Sequence, residues 1–232
     1  MPSYKRVLLK ISGEALSSNT DAIDPKNVSH VVDQLVALHD KGLEIAIVVG
    51  GGNFWRGRQG RSIERVTADQ MGMLATVMNA LALQDAIEKK GVATRVQTAI
   101  AIPSVAEPFI LRKALRHFEQ KRILIFACGT GNPYFTTDSG AALRAAELKV
   151  NMLLMAKNID GLYDSDPRTN KKAKKLEKAT YMEVIENKLA LMDFTAITMC
   201  MENNIPILTF GLQDGNALYR AAMGEKVGTL IN

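Results

Sequence analysis

Short apolar, β-branched runs alternate with helix-patterned stretches along almost the whole chain, and that alternation restricts the fold more than any single motif. Val7-Leu8-Leu9-Lys10-Ile11 and Ile45-Ala46-Ile47-Val48-Val49 are short, nearly continuous apolar runs of the kind that a sheet covered on both faces requires. Between them, Asp24-Pro25 supplies an N-cap followed by a first-turn proline. Val28, Val31, Val32, Leu35 and Leu38 then fall on one face of a helix that stops near Gly42. Further strands are expected over 93–97, 123–127, 152–156 and 205–210, and helices over 108–119, 139–149, 193–203 and 216–223. A capping-box pattern at Thr67 and Gln70 predicts a long helix to about Lys90, with Met71, Leu74, Met78 and Leu81 on one side. The expected architecture is α/β, a three-layer αβα sandwich around a mainly parallel central sheet. No repeat, low-complexity tract or linker divides the chain, so one domain over 1–232 is expected.

Composition narrows the class. With 47% hydrophobic and 23% charged residues the chain can build its own core. No window reaches the roughly 18 apolar residues of a membrane span, and the first residues lack the apolar core of a signal peptide. Cys128 and Cys200 lie in apolar contexts and are expected as packed, reduced thiols of a cytoplasmic protein. The net charge is +5, and its densest run, Lys171-Lys172-Ala173-Lys174-Lys175, has no interleaved aromatics. A solvated loop is expected there, with small anions as ligands and neither nucleic acid nor membrane as partner.

In an open α/β sheet, ligands collect at the carboxyl ends of the strands. Four strand ends here carry glycine, hydroxyl, cation or carboxylate: Lys10-Ile11-Ser12-Gly13-Glu14, Gly50-Gly51-Gly52-Asn53 with Arg56-Gly57, the segment 129–139, and Asn158-Ile159-Asp160-Gly161 running on to Asp166-Pro167. Glycine lets backbone N–H groups approach an anion closely, and a following helix N-terminus adds a favourable dipole. No G-x-x-x-x-G-K-[ST], G-x-G-x-x-G or G-x-S-x-G is present, which removes P-loop, dinucleotide-binding and serine-hydrolase readings. His30, His39 and His117 fall in helical patterns away from these loops. What remains suits phosphoryl transfer, where positioning and charge stabilisation dominate. Lys10, inside an otherwise apolar strand, needs a partner at the strand end. Asp138 reads either as an N-cap of the following helix or as part of the site.

These segments, together with Met71-Gly72-Met73-Leu74-Ala75-Thr76 and the closing Met223-Gly224-Glu225-Lys226-x-Gly228-Thr229, resemble the bacterial-type uridylate (UMP) kinases of the amino acid kinase superfamily. The resemblance runs from about Tyr4 to Ile231. The glycine loops indicate only the superfamily; Gly-Thr-Gly-Asn-Pro-Tyr-Phe-Thr-Thr-Asp-Ser and Asp69-Gln70-Met71-Gly72-Met73 are more specific to the UMP enzymes. It implies transfer of the ATP γ-phosphoryl group to UMP in pyrimidine nucleotide synthesis. Lys10 and Asp138 correspond to the catalytic pair. Lys10, Ile11, Ser12, Gly13, Gly52, Arg56, Tyr163 and Asp166 correspond to the ATP side. Gly51, Asp69, Thr130, Gly131, Asn132, Pro133, Tyr134, Phe135, Thr136 and Thr137 correspond to the UMP side, Asp69 on the ribose hydroxyls.

UMP-side elements would therefore lie mostly in 1–150 and ATP-side elements in 151–232. The resemblance also implies Mg²⁺ with ATP, no metal-ligating cage, a homohexamer and inhibition by UTP. Two departures stand out. Lys157 replaces a residue that is often small and polar on the ATP side, so its neighbour Asn158 is assigned that contact. Segment 17–24 lacks the glycine-rich form associated with GTP activation, which is therefore not expected. The competing readings are a related kinase acting on a carboxylate, carbamate or alkyl phosphate, and a non-catalytic nucleotide- or oxyanion-binding protein on the same fold.

Overall fold

The first apolar run forms strand β1 (Arg6–Ile11), and it lies in the middle of the sheet. A computed structural model describes residues 4–55, 62–167, 169–189, 191–212 and 215–232. In chain order, β1 is followed by α1 (Pro25–Asp40), β2 (Glu44–Val49), α2 (Arg65–Lys89), β3 (Thr94–Thr98), β4 (Glu107–Pro108), α3 (Leu111–Glu119) and β5 (Ile123–Ala127). Then come α4 (Thr137–Glu147), β6 (Met152–Lys157), β7 (Lys178–Ala179), α5 (Tyr181–Glu186), α6 (Phe194–Glu202), β8 (Ile207–Gly211), α7 (Ala217–Ala222) and β9 (Thr229–Ile231). The nine strands form one sheet in the order β4-β3-β5-β2-β1-β6-β8-β9-β7. Among the described strand pairs only β8 with β9 is antiparallel, and outside the strands Tyr163 and Lys175 form an isolated antiparallel bridge.

The side-chain alternation of β1 sorts the core into two layers. Val7, Leu9 and Ile11 pack with α1, α2 and α7, whereas Leu8 packs on the opposite face with α3, α4, α5 and α6. Helix α1 shows how its sequence specifies the arrangement. Asp24 caps it by accepting from the N–H groups of Lys26 and Asn27, and Val31, Val32 and Leu35 are fully buried. Each of those side chains contributes roughly 1.5–3 kcal/mol relative to exposure.

The α/β sandwich and its mainly parallel sheet agree with the sequence reading, but several boundaries move. Helix α2 begins at Arg65, where the side chain of Glu64 accepts from the Thr67 N–H, so the Thr67–Gln70 pattern lies inside the helix. The helix expected from 108 begins at Leu111 because Glu107-Pro108 takes the edge of the sheet. Proline is tolerated there, since an edge strand loses no ladder bond through its missing N–H. On α2, the side carrying Met73, Val77, Ala80, Leu83 and Ile87 faces the sheet. Met71, Leu74 and Met78 are left 36%, 52% and 45% exposed. Cys128 and Cys200 are buried and free, and burial pushes the Cys200 thiol up to about 12. Among the described residues, no helix is long and apolar enough to cross a membrane.

Candidate active site

Period-two alternation brings the charged centre together. Lys10 lies on the same face of β1 as Leu8, and Lys157 on the same face of β6 as Leu153 and Met155, both toward α4. The two strands are parallel neighbours, with Lys10 opposite Met155, so both ammonium groups emerge at the carboxyl end of the sheet. Asp138, in the first turn of α4, sits between them. Lys10 Nζ is 2.6 Å from Asp138 Oδ1, and Lys157 Nζ is 3.6 Å from Oδ2. Oδ1 is buried and accepts no well-aligned hydrogen bond, which marks the contact as chiefly electrostatic.

Burial pushes the Asp138 carboxyl upward, but the charges of Lys10 and Lys157 outweigh it and hold the group below its ordinary 3.8. Burial drives the Lys157 ammonium below its ordinary 10.5, with Asp138 opposing and Lys10 reinforcing the change. Asp193 also acts on Lys157, from farther away than Asp138. Two ammonium groups gathered at the strand ends suit an oxyanion site.

Asp138 is not the N-cap. Thr136 performs that role, its hydroxyl oxygen accepting from the N–H groups of Asp138 and Ser139 at 3.1 and 3.2 Å. Thr136 is held in turn by Asp193, whose carboxylate accepts from the Thr136 hydroxyl and, at 3.0 Å, from Ser139. Asp193 also caps α6 through the Ala196 N–H. The sequence reading took Asp193 only as a helix start. The resemblance assigns an ATP contact to Asn158 because Lys157 departs from the usual small polar residue; the structure instead brings Lys157 to Asp138.

The glycine loops converge beside this centre. Gly13 begins a 3-10 turn, Gly13–Leu16, packed against the 50–53 loop. A Cβ at Gly13 would collide with the Asn53 side chain and lie 2.7 Å from the Gly50 carbonyl oxygen. Asn79, fully buried on α2, donates to the Gly50 carbonyl at 2.7 Å and to Asn53 Oδ1 at 2.8 Å. Asn53 returns a hydrogen bond to Asn79 Oδ1 at 2.9 Å. Thr76, one turn earlier on the helix, accepts from the Cys128 N–H at 2.7 Å and anchors the loop after β5.

These loops enclose a cavity of about 550 Å³, lined by Gly51, Asp69, Thr130, Asn132, Phe135, Thr136 and Thr137 among others. Gly131, Pro133 and Tyr134 belong to the same loop without lining it. Gly52, expected on the opposite side of the reaction, shares this cavity. A second cavity, of about 320 Å³, is lined by Tyr163 and Asp166 together with Ile159, Leu162 and Leu189. The side chain of Ile11 is in the core, so only its backbone is available to a ligand. Asn158 is exposed and lines neither of these cavities. Arg56 lies outside the described residues. Thr136 and Thr137 of the first cavity lead directly into Asp138, and Lys157 leads directly into the segment lining the second. Lys10, Asp138 and Lys157 line neither cavity themselves, and Asp138 and Lys157 are tied to them through these neighbouring residues.

Comparison with known proteins gives the family and the fold. Residues 5–210 match the model of the amino acid kinase family. The solved UMP kinase of Bacillus anthracis is similar at 38% identity and a TM-score of 0.96, over 99% of this chain and 96% of that one. The UMP kinase of Ureaplasma parvum is similar at 38% identity and a TM-score of 0.94, over 98% of each chain. A uridylate kinase from Archaeoglobus fulgidus shares the fold at 23% identity and a TM-score of 0.73, over 97% of this chain and 99% of that one.

Proposed function

The chain belongs to the amino acid kinase family, and on that premise we propose that it transfers the γ-phosphoryl group of ATP to UMP, giving ADP and UDP. The observation that supports this best is the Lys10–Asp138–Lys157 group at the carboxyl end of the sheet, in a fold shared at 38% identity with UMP kinases. A phosphate oxygen of UMP attacks the γ-phosphorus in line. The bond to the β–γ bridging oxygen breaks, and its electron pair leaves with ADP. The second pKa of a phosphate monoester is about 6, so the attacking oxygen is largely ionised at neutral pH. No general base is required.

Lys10 and Lys157 face the charge of the migrating group, and Asp138 keeps both ammonium groups aimed. Ile11, Ser12 and Gly13 present backbone to the ATP phosphates, joined by Gly52, Arg56 and Asn158, while Tyr163 and Asp166 take the adenosine. UMP occupies the larger cavity, with Asp69 on its ribose hydroxyls, Gly51 beside it, and Thr130 to Thr137 around phosphate and base.

Among the described residues no three His, Cys, Asp or Glu side chains cluster as a metal cage, and Asp138 is engaged by two lysines. Mg²⁺ fits as an ion carried by the ATP phosphates, since it retains waters and takes few protein ligands. When bound, it supplies charge neutralisation and Lewis-acid polarisation of phosphoryl oxygens. The exposed Met71, Leu74 and Met78 face of α2 suits a subunit contact within a homohexamer. The larger cavity also suits UTP as an inhibitor. Free, buried thiols suit a reducing cytoplasm, where the reaction serves pyrimidine nucleotide synthesis.

The test is ADP release with UMP, CMP, dUMP, acetylglutamate, aspartate or carbamate as acceptor. UMP is expected to give the highest kcat/KM. Turnover of a carboxylate or carbamate acceptor with none of UMP overturns the proposal.

A further inference from the structure

The rim of the larger cavity contains an aromatic residue in a backbone conformation that it disfavours. Tyr134 has φ of 71°, its side chain is mostly exposed, and its ring reaches no core contact that would compensate. A left-handed backbone at a residue other than glycine costs about five- to thirtyfold in conformational population. Two interactions hold it there. The Tyr134 N–H donates to Asp69 Oδ2 at 2.8 Å, and the Arg65 guanidinium lies 5.2 Å from the centroid of the Tyr134 ring. Arg65 Nε also donates to the same Asp69 oxygen at 2.7 Å.

Helix stability does not account for Arg65. It is the first residue of α2, where the helix dipole disfavours a cation. Its acidic partner lies on the C-terminal side at i+4, the less favourable order for such a pair. The placement makes sense if the guanidinium serves the loop. Because Arg65 and Tyr134 both use Oδ2, the other oxygen of Asp69 carries no hydrogen bond among the described residues and remains available at the cavity mouth.

We infer that Arg65 is a positioning residue of the acceptor site: acting through Asp69 and the Tyr134 ring, it clamps the 129–137 loop in its strained form with one carboxylate oxygen left open for the acceptor. Only the steady-state part of the test rests on the UMP reading; the clamp itself is tested without substrate.

Limited chymotrypsin digestion of the full chain reads the clamp at Tyr134 and Phe135. Arg65→Gln is expected to speed cleavage there roughly tenfold, and Arg65→Lys, which keeps the charge but loses the planar stack, by less. Tyr134→Asn substitutes a residue that tolerates the left-handed region. In that background the ring contact and the strain are gone and only the route through Asp69 remains, so cleavage at Phe135 should respond much less to Arg65→Gln. With UMP as acceptor, Arg65→Gln should raise the UMP KM about three- to tenfold while kcat and the ATP KM hold. Equal cleavage of wild type and both Arg65 variants overturns the clamp, as does an undiminished effect of Arg65→Gln in the Tyr134→Asn background. Accelerated cleavage in an enzyme that never turns over UMP leaves the clamp standing and removes the acceptor assignment. If Arg65→Gln lowers the melting temperature of the whole chain, Arg65→Lys carries the comparison, and unchanged cleavage in it counts against the clamp.

Discussion

Asp138 and Asp69 are almost equally buried, with side chains 14% and 16% exposed, yet their surroundings make them different instruments. Asp138 has an ammonium group at each oxygen. Both of its oxygens face cations, so its work is to hold them. Asp69 takes both of its protein partners on a single oxygen and keeps the other open at a cavity mouth. Its work is to meet a ligand. Burial alone distinguishes nothing here; which oxygens are already occupied does. The centre at the strand ends should therefore govern kcat, and the rim should govern KM for the acceptor.

The largest expected effect is at Lys10. Lys10→Ala should lower kcat by about a thousandfold with the UMP KM within a few-fold, measured by steady-state ADP release. A variant retaining near-normal kcat would remove the centre from the chemistry. Next is Asp138→Asn, which leaves two ammonium groups facing each other and should cost about 3 kcal/mol of stability. That corresponds to a melting temperature lower by roughly 6–12 °C. Its pH dependence has a definite sign. The folded carboxyl is held below 3.8, so its stabilisation is complete above that value and disappears as pH falls through the folded pKa. Wild type should lose melting temperature more steeply than Asp138→Asn as pH drops below 3.8; parallel acid limbs would contradict the paired carboxylate.

Lys157→Met should lower kcat by about thirtyfold. Because burial pushes this ammonium below 10.5, the wild-type kcat should decline on the alkaline side earlier than an ordinary lysine would dictate. Lys157→Arg, which keeps its charge at such pH, should lack that decline. The smallest effect is expected at Asp69, where Asp69→Asn should raise the UMP KM about tenfold and change stability by less than about 1 kcal/mol. A matching rise in the ATP KM would show that the two sides of the site have been exchanged.

Much of this was legible in the sequence. A lysine within an apolar strand announces its need for a counter-charge, and glycines at four strand ends announce backbone-lined anion sites. Lys157 was set aside because it departs from the residue type usual at that position; the alternation through Leu153 and Met155 reaches it and carries it to the face of Lys10. Asp193 was invisible for a different reason. Its partner Ser139 is 54 residues away, and capping is a sufficient local explanation for an aspartate before a helix. The edge strands β4 and β7 have two residues each, too few to show any period. Arg65 reads as an ordinary surface residue until Tyr134 is placed beside it.

The central position of β1 has a further consequence. Its ladder is bonded on both sides, with four strands between it and each edge, so Lys10 is anchored on the backbone farthest from fraying. Amide exchange should be slowest there and fastest at the flanks. The margins of the sheet can open many times during the life of the folded molecule while the ammonium that meets the phosphate stays where it is.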